Sequence, residues 1–351
     1  MCRYTDPAGN DGNPGTSSRP YRTLQQAAAG VNPGDVVIAR NGIYTGGPIV
    51  LEIRRSGTAA NPIVFQAENQ WGAVIDGRSN SSGTGIKISG NHIRVEGFEV
   101  RGTSHYGIEA YGGGNVIVAQ NHVHDVGHYC TSTSNGIVGI NAYVSNLLIE
   151  QNVVHDIGRW ADGENGCSTT NRYWQNHDHG VYHGEGDNVI IRNNLFYNFT
   201  RGWAIQRYDG ARTVVSNLQI VNNTFAGANP NKDGQIIIAS PVIGLVIANN
   251  IFYQPRTAGV RFDTGRLSGL VANNLTDRAT LSTGATSGLE FAGNLLSLDP
   301  GFRDPAKRDF HLMPGSPAIG AGRRLANMQS ALDRTPRVPP APDIGAYQYT
   351  K

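Results

Sequence analysis

Residues 188–197 read NVIIRNNLFY, and the same ten-residue pattern recurs along the chain: NHIRVEGFEV (91–100), NVIVAQNHVH (115–124), NLLIEQNVVH (146–155), NLQIVNNTFA (217–226) and GLVIANNIFY (244–253), with GLVANNL (269–275) and LEFAGNLL (289–296) as shorter echoes. Inside each copy apolar residues alternate with period two, as in Val116/Val118, Leu147/Ile149, Val189/Ile191, Leu218/Ile220 and Leu245/Ile247. Period two marks a strand with one buried face. In six of the copies an asparagine then falls at one position: Asn121, Asn152, Asn194, Asn223, Asn250 and Asn274, at spacings of 31, 42, 29, 27 and 24 residues. Repeats of this length and character define a solenoid. Asparagines stacked at one turn can bond from coil to coil and satisfy a buried turn, so they are assigned to the scaffold.

A second strand follows each asparagine turn: YGIEAY (106–111), VGINAY (138–143), HGVYHG (179–184), WAIQRY (203–208), GQIIIA (234–239) and GVRFDT (259–264). Each coil therefore holds at least two strands. The loops between them vary, and the longest, GRWADGENGCSTTNRYWQN (158–176), carries Trp160 and Trp174. Long loops on one side of a solenoid tend to wall its binding groove. The two tryptophans suit stacking on sugar rings, or else simply pack the loop down.

Composition narrows the function. The 351 residues carry a net charge of +2, too little for a nucleic-acid-binding field. No apolar run reaches the length of a membrane-spanning helix. The 45 glycines show no Gly-X-Y period, which excludes collagen. Three cysteines are present. Cys130 and Cys167 fall in equivalent loops of successive repeats, so a disulfide and two free thiols are both open, while Cys2 is read as free.

Before the repeats, residues 10–46 place a short amphipathic helix (Thr23–Ala29, with Leu24, Ala27 and Ala28 on one face) ahead of a Pro33-Gly34 turn and the apolar strand Val36–Ala39. This segment resembles the N-terminal cap of right-handed parallel β-helix polysaccharide lyases, such as chondroitinase B and the family-nine pectate lyases, in which the helix plugs the open end of the core. The expected fold is all-β: a single-stranded right-handed parallel β-helix with a short N-terminal capping helix. One domain is expected over 1–351, with an N-terminal cap at 1–50, coils at 51–298 and a C-terminal cap at 299–351. The tail, with FHLMPGSPAIGAG and PDIGAYQY, resembles the closing segment of many secreted β-helix repeat proteins. Proteins of this kind are usually exported, so a secreted monomer is expected, with its signal peptide lying outside the present sequence.

The resemblance also implies a catalytic lysine beside a calcium ion held by acidic side chains. The four lysines are Lys87 in an early coil, Lys232 in a loop, and Lys307 and Lys351 in the tail. None aligns with the central strands in this reading, and no aspartate cluster accompanies them. Calcium is thus optional, no metal site is assigned, and Asp162 and Glu164 are read as solvated loop acids. His177, His179 and His183 could form a three-histidine transition-metal site. His124 and His155 repeat at a turn position and are read as structural.

The chemistry is expected in residues 176–209, where the repeat breaks its own rule. By strict alternation Ala110, Ala142, His183 and Arg207 would point inward. Alanine fits a core, whereas histidine and arginine do not, so the strand is expected to end or bend there and place both at the rim. Adjacent coils lie about 4.8 Å apart, so His183 and Arg207 could meet one substrate. β-Elimination in a uronate needs carboxylate neutralisation, removal of the C5 proton and protonation of the leaving oxygen. Arg207 and Gln206 are assigned to the carboxylate, Tyr182 or His183 to the base, and Tyr208 or His179 to the acid. Glu109, Asn141, His177, Arg201, Arg261, Trp160 and Trp174 complete the expected substrate contacts. The function so read is an enzyme on an acidic polysaccharide or oligosaccharide, foremost a uronate polysaccharide lyase. The alternatives are a glycoside hydrolase or C5-epimerase on the same scaffold, or a non-catalytic carbohydrate-binding surface protein.

Overall fold

The structure is a computed structural model and describes every residue except 131–134, 169–173, 228, 327–329, 338–340 and 351. Three parallel sheets run the length of the molecule, of twelve, nine and nine strands. Each coil contributes one strand to each sheet, so the chain is a right-handed parallel β-helix with three strands per coil. The ten-residue repeat holds two of them. In NVIVAQNHVH, Val116–Ala119 lies in the first sheet and His122–Val126 in the second, and Ile137–Tyr143 then completes the coil in the third.

The corner between the first two sheets explains the paired polar residues. The second of each pair is buried: Asn121 Nδ2 donates to Asn152 Oδ1 (3.2 Å), Asn152 to Asn194 (3.0 Å), Asn194 to Asn223 (2.9 Å), Asn223 to Asn250 (3.0 Å) and Asn250 to Asn274 (2.9 Å). Every rung also donates to a backbone carbonyl, as Asn194 Nδ2 does to Ile149 O at 3.0 Å, leaving little of a buried turn unsatisfied. The first of each pair is left-handed: Gln120, Gln151, Asn193, Asn222, Asn249 and Asn273 have φ between 51 and 59°. These side chains face outward. Asn193 stands outside the ladder, accepting from Arg337 Nη2 at 2.6 Å.

That outer row is where the tail docks. Asn273 and Asn249 donate to Ala321 O and Arg323 O, Asn222 to Asp343 O, and Gln151 to Ala331 O. Residues 299–351 were expected to close the end of the stack. Instead, their described part runs back along its flank, and Phe310, Leu312, Leu332 and Ile344 cover the outward apolar residues Val153, Leu195, Ile251 and Leu275 of the second sheet. The last core position, Phe291, is 42% exposed. At the other end the helix Leu24–Gly30 is capped by Thr23, which accepts from Gln26 N, and buries Leu24, Ala27 and Ala28. Between the ends the core is layered, and Phe196, Phe225 and Phe252 stack at 5.0 and 5.2 Å.

Candidate functional site

The third sheet contains a column of glycines at which strict alternation fails. Ladder pairing joins Tyr106 to Val138 and Ile108 to Ile140, skipping Gly107 and Gly139. A Cβ on Gly107 would lie 2.5 Å from Val123 in the core, and one on Gly180 would lie 2.6 Å from Phe199. Glycine is required here because the chain turns a corner against the core. The bend reverses the residues before it, so Tyr106, Val138 and His179, in one register row, line an outer groove of about 680 Å³.

Beyond the corner the outward row is Lys87, Glu109, Asn141, Tyr182, Gln206, Ile237 and Arg261, each paired with the next. Glu109, Asn141, Tyr182 and Gln206 all line the groove, as do His177 and Tyr208. Lys87 does align with the central strands, contrary to the sequence reading. It pairs with Glu109 (3.4 Å) and sits over the Tyr111 ring (5.9 Å to the centroid). The signal was present in TGIKI (84–88), whose Gly85 sets the same register as Gly107 in YGIEAY.

From Tyr111 a line of rings continues coil by coil. Tyr111 and Tyr143 stand 5.8 Å apart, Tyr143 and Tyr182 5.9 Å, and Tyr182 and His179 5.6 Å. His179 Nδ1 accepts from the backbone N–H of Trp203 at 3.1 Å, so its Nε2 carries the proton. Over Trp203 lies the ammonium of Lys232, 5.7 Å from the ring and 2.5 Å from Asn176 Oδ1. The groove is thus an aromatic floor with a lysine at each end, and Tyr106, Tyr111, Tyr143, Trp203, Lys87 and Lys232 were not singled out from sequence.

Burial fixes the protonation states. It holds His179 well below the ordinary histidine value and lowers His177 to about 4, with Arg159 and Lys232 adding to the latter. Both imidazoles are neutral near pH 7. Burial pushes Tyr182 upward, and neighbouring Tyr143 pushes it further, so Tyr182 is a phenol and donates rather than accepts a proton. Lys232 is lowered by burial and by Arg261, against Asp233.

His183 and Arg207 are corrected outright. The strands that carry them, Asp178–Glu185 and Ile205–Arg207, neither end nor turn out before them, and both side chains are 0% exposed. They occupy the inward row of Ala110, Ala142, Ile238 and Phe262. A bulge accommodates them: Ala142 pairs with His183 but Tyr143 with Glu185, leaving Gly184 extra. Backbone carbonyls freed by this irregularity receive the buried donors. Arg207 donates to Gly184 O and Thr213 O, both at 2.7 Å, and lies 3.4 Å from Asp209, while His183 Nε2 donates to Gly186 O at 3.0 Å. Neither side chain reaches the groove. The three-histidine site fails with them, since His183 points into the core while His177 and His179 face the groove.

Three further assignments move. Trp160 stacks on His128 (4.4 Å) and Trp174 is buried beneath Arg201 (5.8 Å), so both pack the loop, of which 169–173 lie outside the described residues. Arg201 donates to Arg159 O and pairs with Glu164 rather than facing the groove. Arg261 is held at the groove's edge by Asp233 (3.0 Å) and Asp263 (3.2 Å). Cys130 and Cys167 form a disulfide, pinning the long loop.

The calcium that the resemblance implies finds no fitting donor set among the described groove residues. Glu109 is engaged by Lys87, and Asp233 and Asp263 by Arg261. Glu109 and Asp263 belong to coils five strand-steps apart, roughly 24 Å. Among the described residues no group of acids converges in the groove as calcium requires, and no step below is routed through it.

The groove thus runs over an aromatic floor along one sheet of a parallel β-helix. The chain belongs to the Pel9A-like right-handed β-helix family, whose model matches residues 3–217. Across 99% of this chain and 96% of the other, the fold is similar to that of pectate lyase Pel9A, with 17% identity and a TM-score of 0.62. It is also similar to XylC in complex with xylose (12% identity, TM-score 0.58, 84% and 70% covered) and to a glycoside hydrolase (9% identity, TM-score 0.50, 89% and 99% covered). Over 76 residues it is 37% identical to the uncharacterized protein YwoF of Bacillus subtilis (strain 168), a match spanning 22% of this chain and 16% of that protein. At these identities the structural likenesses establish the fold alone, a parallel β-helix shared by a pectate lyase and a glycoside hydrolase.

Proposed function

We propose that the chain is a polysaccharide lyase that binds an acidic, uronate-containing polysaccharide along the third-sheet groove and cleaves it by β-elimination. The observation that carries this reading is the aromatic floor closed at each end by a lysine, Lys87 on Tyr111 and Lys232 on Trp203. Rings stack on sugar faces, the Lys87 ammonium holds a carboxylate at one end of the row, and Lys232 at the other end is left for the chemistry. Four strand-steps separate the coils of Lys87 and Trp203, roughly 19 Å, room for an oligosaccharide.

Lys232 is assigned as base, because burial lowers its pKa and brings an amine lone pair toward neutral pH. It takes the C5 proton. The electron pair forms the C4–C5 double bond, the C4–O bond breaks, and the leaving oxygen takes the Tyr182 phenolic proton. The amides of Asn141 and Gln206, one coil to either side of Tyr182, hold the carboxylate, and the neutral His179 Nε2–H is a further donor in the same groove. Hydrolysis would need two carboxylates within about 10 Å, and the groove's Glu109 and Asp263 stand far beyond that. The disulfide suits an oxidising, extracellular setting.

The test is a panel of uronate polymers followed by ultraviolet absorbance of the unsaturated product. Absorbance should grow with wild type, be lost in Lys232→Ala, and need more substrate in Lys87→Ala. Reducing ends without absorbance would replace the reading with hydrolysis, and full activity in Lys232→Ala would remove its assignment as base.

A further inference from the structure

On the second sheet, away from the groove, three imidazoles converge. His122 and His124 lie on one strand, His155 on the next, and ladder pairing sets His124 beside His155 and His122 beside Glu99. His122 Nε2 and His155 Nε2 face each other at 2.7 Å, and His124 Nε2 lies 3.4 Å from Glu99 Oε1. Donor atoms of Glu99, His122 and His124 all lie within 4.8 Å of one another. In the same outward row Val153 and Leu195 are apolar and covered by the tail, so the histidines begin where that cover ends.

The arrangement around these rings goes beyond packing. His124 Nδ1 is bonded to Asp125 Oδ2 (2.6 Å), and His155 Nδ1 to Asp156. A carboxylate on Nδ1 fixes the proton there and leaves the Nε2 lone pair facing the partner ring or acid. This is the outer-shell arrangement that orients histidine ligands on metals. His124 Nε2 is nonetheless buried without a hydrogen-bond partner, an exception that calls for a ligand. The His122–His155 contact needs one proton between two nitrogens, and a cation can take that place. Arg101 donates to Glu99 Oε1 at 2.8 Å and orients it. Glu99, Asp125 and Asp156 outweigh that one positive charge. Trp71 lies 4.9 Å from His122 and Tyr197 4.3 Å from His155, walling the cluster on two sides.

We propose that Glu99, His122, His124 and His155 form a binding site for a borderline divalent transition metal, of which Zn²⁺ is the probe. Imidazole and carboxylate ligands at about 2.0–2.2 Å suit this class. The site stands apart from the groove and does not depend on its reading.

The experiment uses untagged, chelator-stripped protein carrying Cys2→Ser, which removes the free thiol. Zn²⁺ is titrated against a chromophoric chelator, and Co²⁺ absorption reports the ligand field. One equivalent is expected, bound at least 100-fold more weakly in His122→Ala/His124→Ala and about 10- to 100-fold more weakly in Asp125→Asn, while His177→Ala in the groove binds as wild type. Zn²⁺ should raise the Tm of the wild type and not that of the double variant. Should the double variant fail to fold, Glu99→Gln together with Asp125→Asn serves in its place. Absence of a stoichiometric equivalent, unchanged affinity in these variants, or loss of the site in His177→Ala would each overturn the proposal.

Discussion

His183 supplies a prediction that separates a buried structural imidazole from a catalytic one at the rim. It is fully buried beside Arg207, and burial followed by that guanidinium lowers its pKa to about 4 from the ordinary 6.5. Because the folded value is depressed, the unfolded chain binds the extra proton first. Stability from the neutral ring is complete above about pH 6.5 and falls as pH drops toward 4. At pH 5 the two values differ in proton-binding free energy by about 2 kcal/mol. With an unfolding entropy of about 2.1 cal/mol/K per residue, this corresponds to roughly 3 °C in Tm. The measurement is Tm by circular dichroism from pH 7.5 to 5 for wild type and for His183→Leu, which has nothing to titrate there. Contributions from His122 and His177 are present in both proteins and cancel in the difference. The wild type should lose about 3 °C more than the variant. Parallel profiles would refute the neutral buried imidazole and reopen a solvent-facing role.

Arg207→Met removes the donors to Gly184 O, Thr213 O and Asp209. The loss of one partner from a buried charged network costs about 3–5 kcal/mol, so Tm should fall by several degrees; an unchanged Tm with lost turnover would return Arg207 to the substrate. His311 is raised by its bond to Asp333, despite desolvation, and by Asp309, so its clamp on the tail is complete below about pH 6.5 and is lost as pH rises through the folded value. Wild type should lose Tm over that alkaline step, and a step of equal size in His311→Gln would contradict the clamp. Reduction of the disulfide, across a separation of 37 residues, should cost about 4 kcal/mol on the chain-entropy view, seen as a lower Tm in reductant that Cys130→Ser/Cys167→Ser reproduces without it.

The solenoid was legible because its signals are local. Period-two apolar residues and a recurring asparagine lie within each ten-residue repeat, and they directly specify strands and a turn. What faces the asparagine corner was not legible, since it depends on a tail some 100 residues away. In the NN pairs only the second residue joins the buried ladder, and the first is held left-handed, covered by and bonded to that tail. Nothing in NVIIRNNLFY distinguishes the two amides until the surface they meet is known. The tail's course along the flank, rather than over the end, is likewise decided by the apolar row Val153, Leu195 and Ile251, whose outward direction is set by the turn.

The site was half legible for a single geometric reason. Asn141, Tyr182 and Gln206, all expected at the site, do face the groove because alternation holds on their side of the glycine column. His179 reaches the groove because alternation fails at Gly180. His183 and Arg207 were misplaced by the opposite error, in which polarity was allowed to override an alternation that holds. A buried cation is expensive only when unpaired, and the bulge at Gly184 both makes room for the guanidinium and frees a carbonyl to receive it. Alternation is therefore the stronger guide wherever no glycine interrupts it. The same rule, applied from Gly85 forward, puts Lys87 on the groove side without any appeal to its charge, and so places the lysine on which the proposed binding of an acidic chain rests.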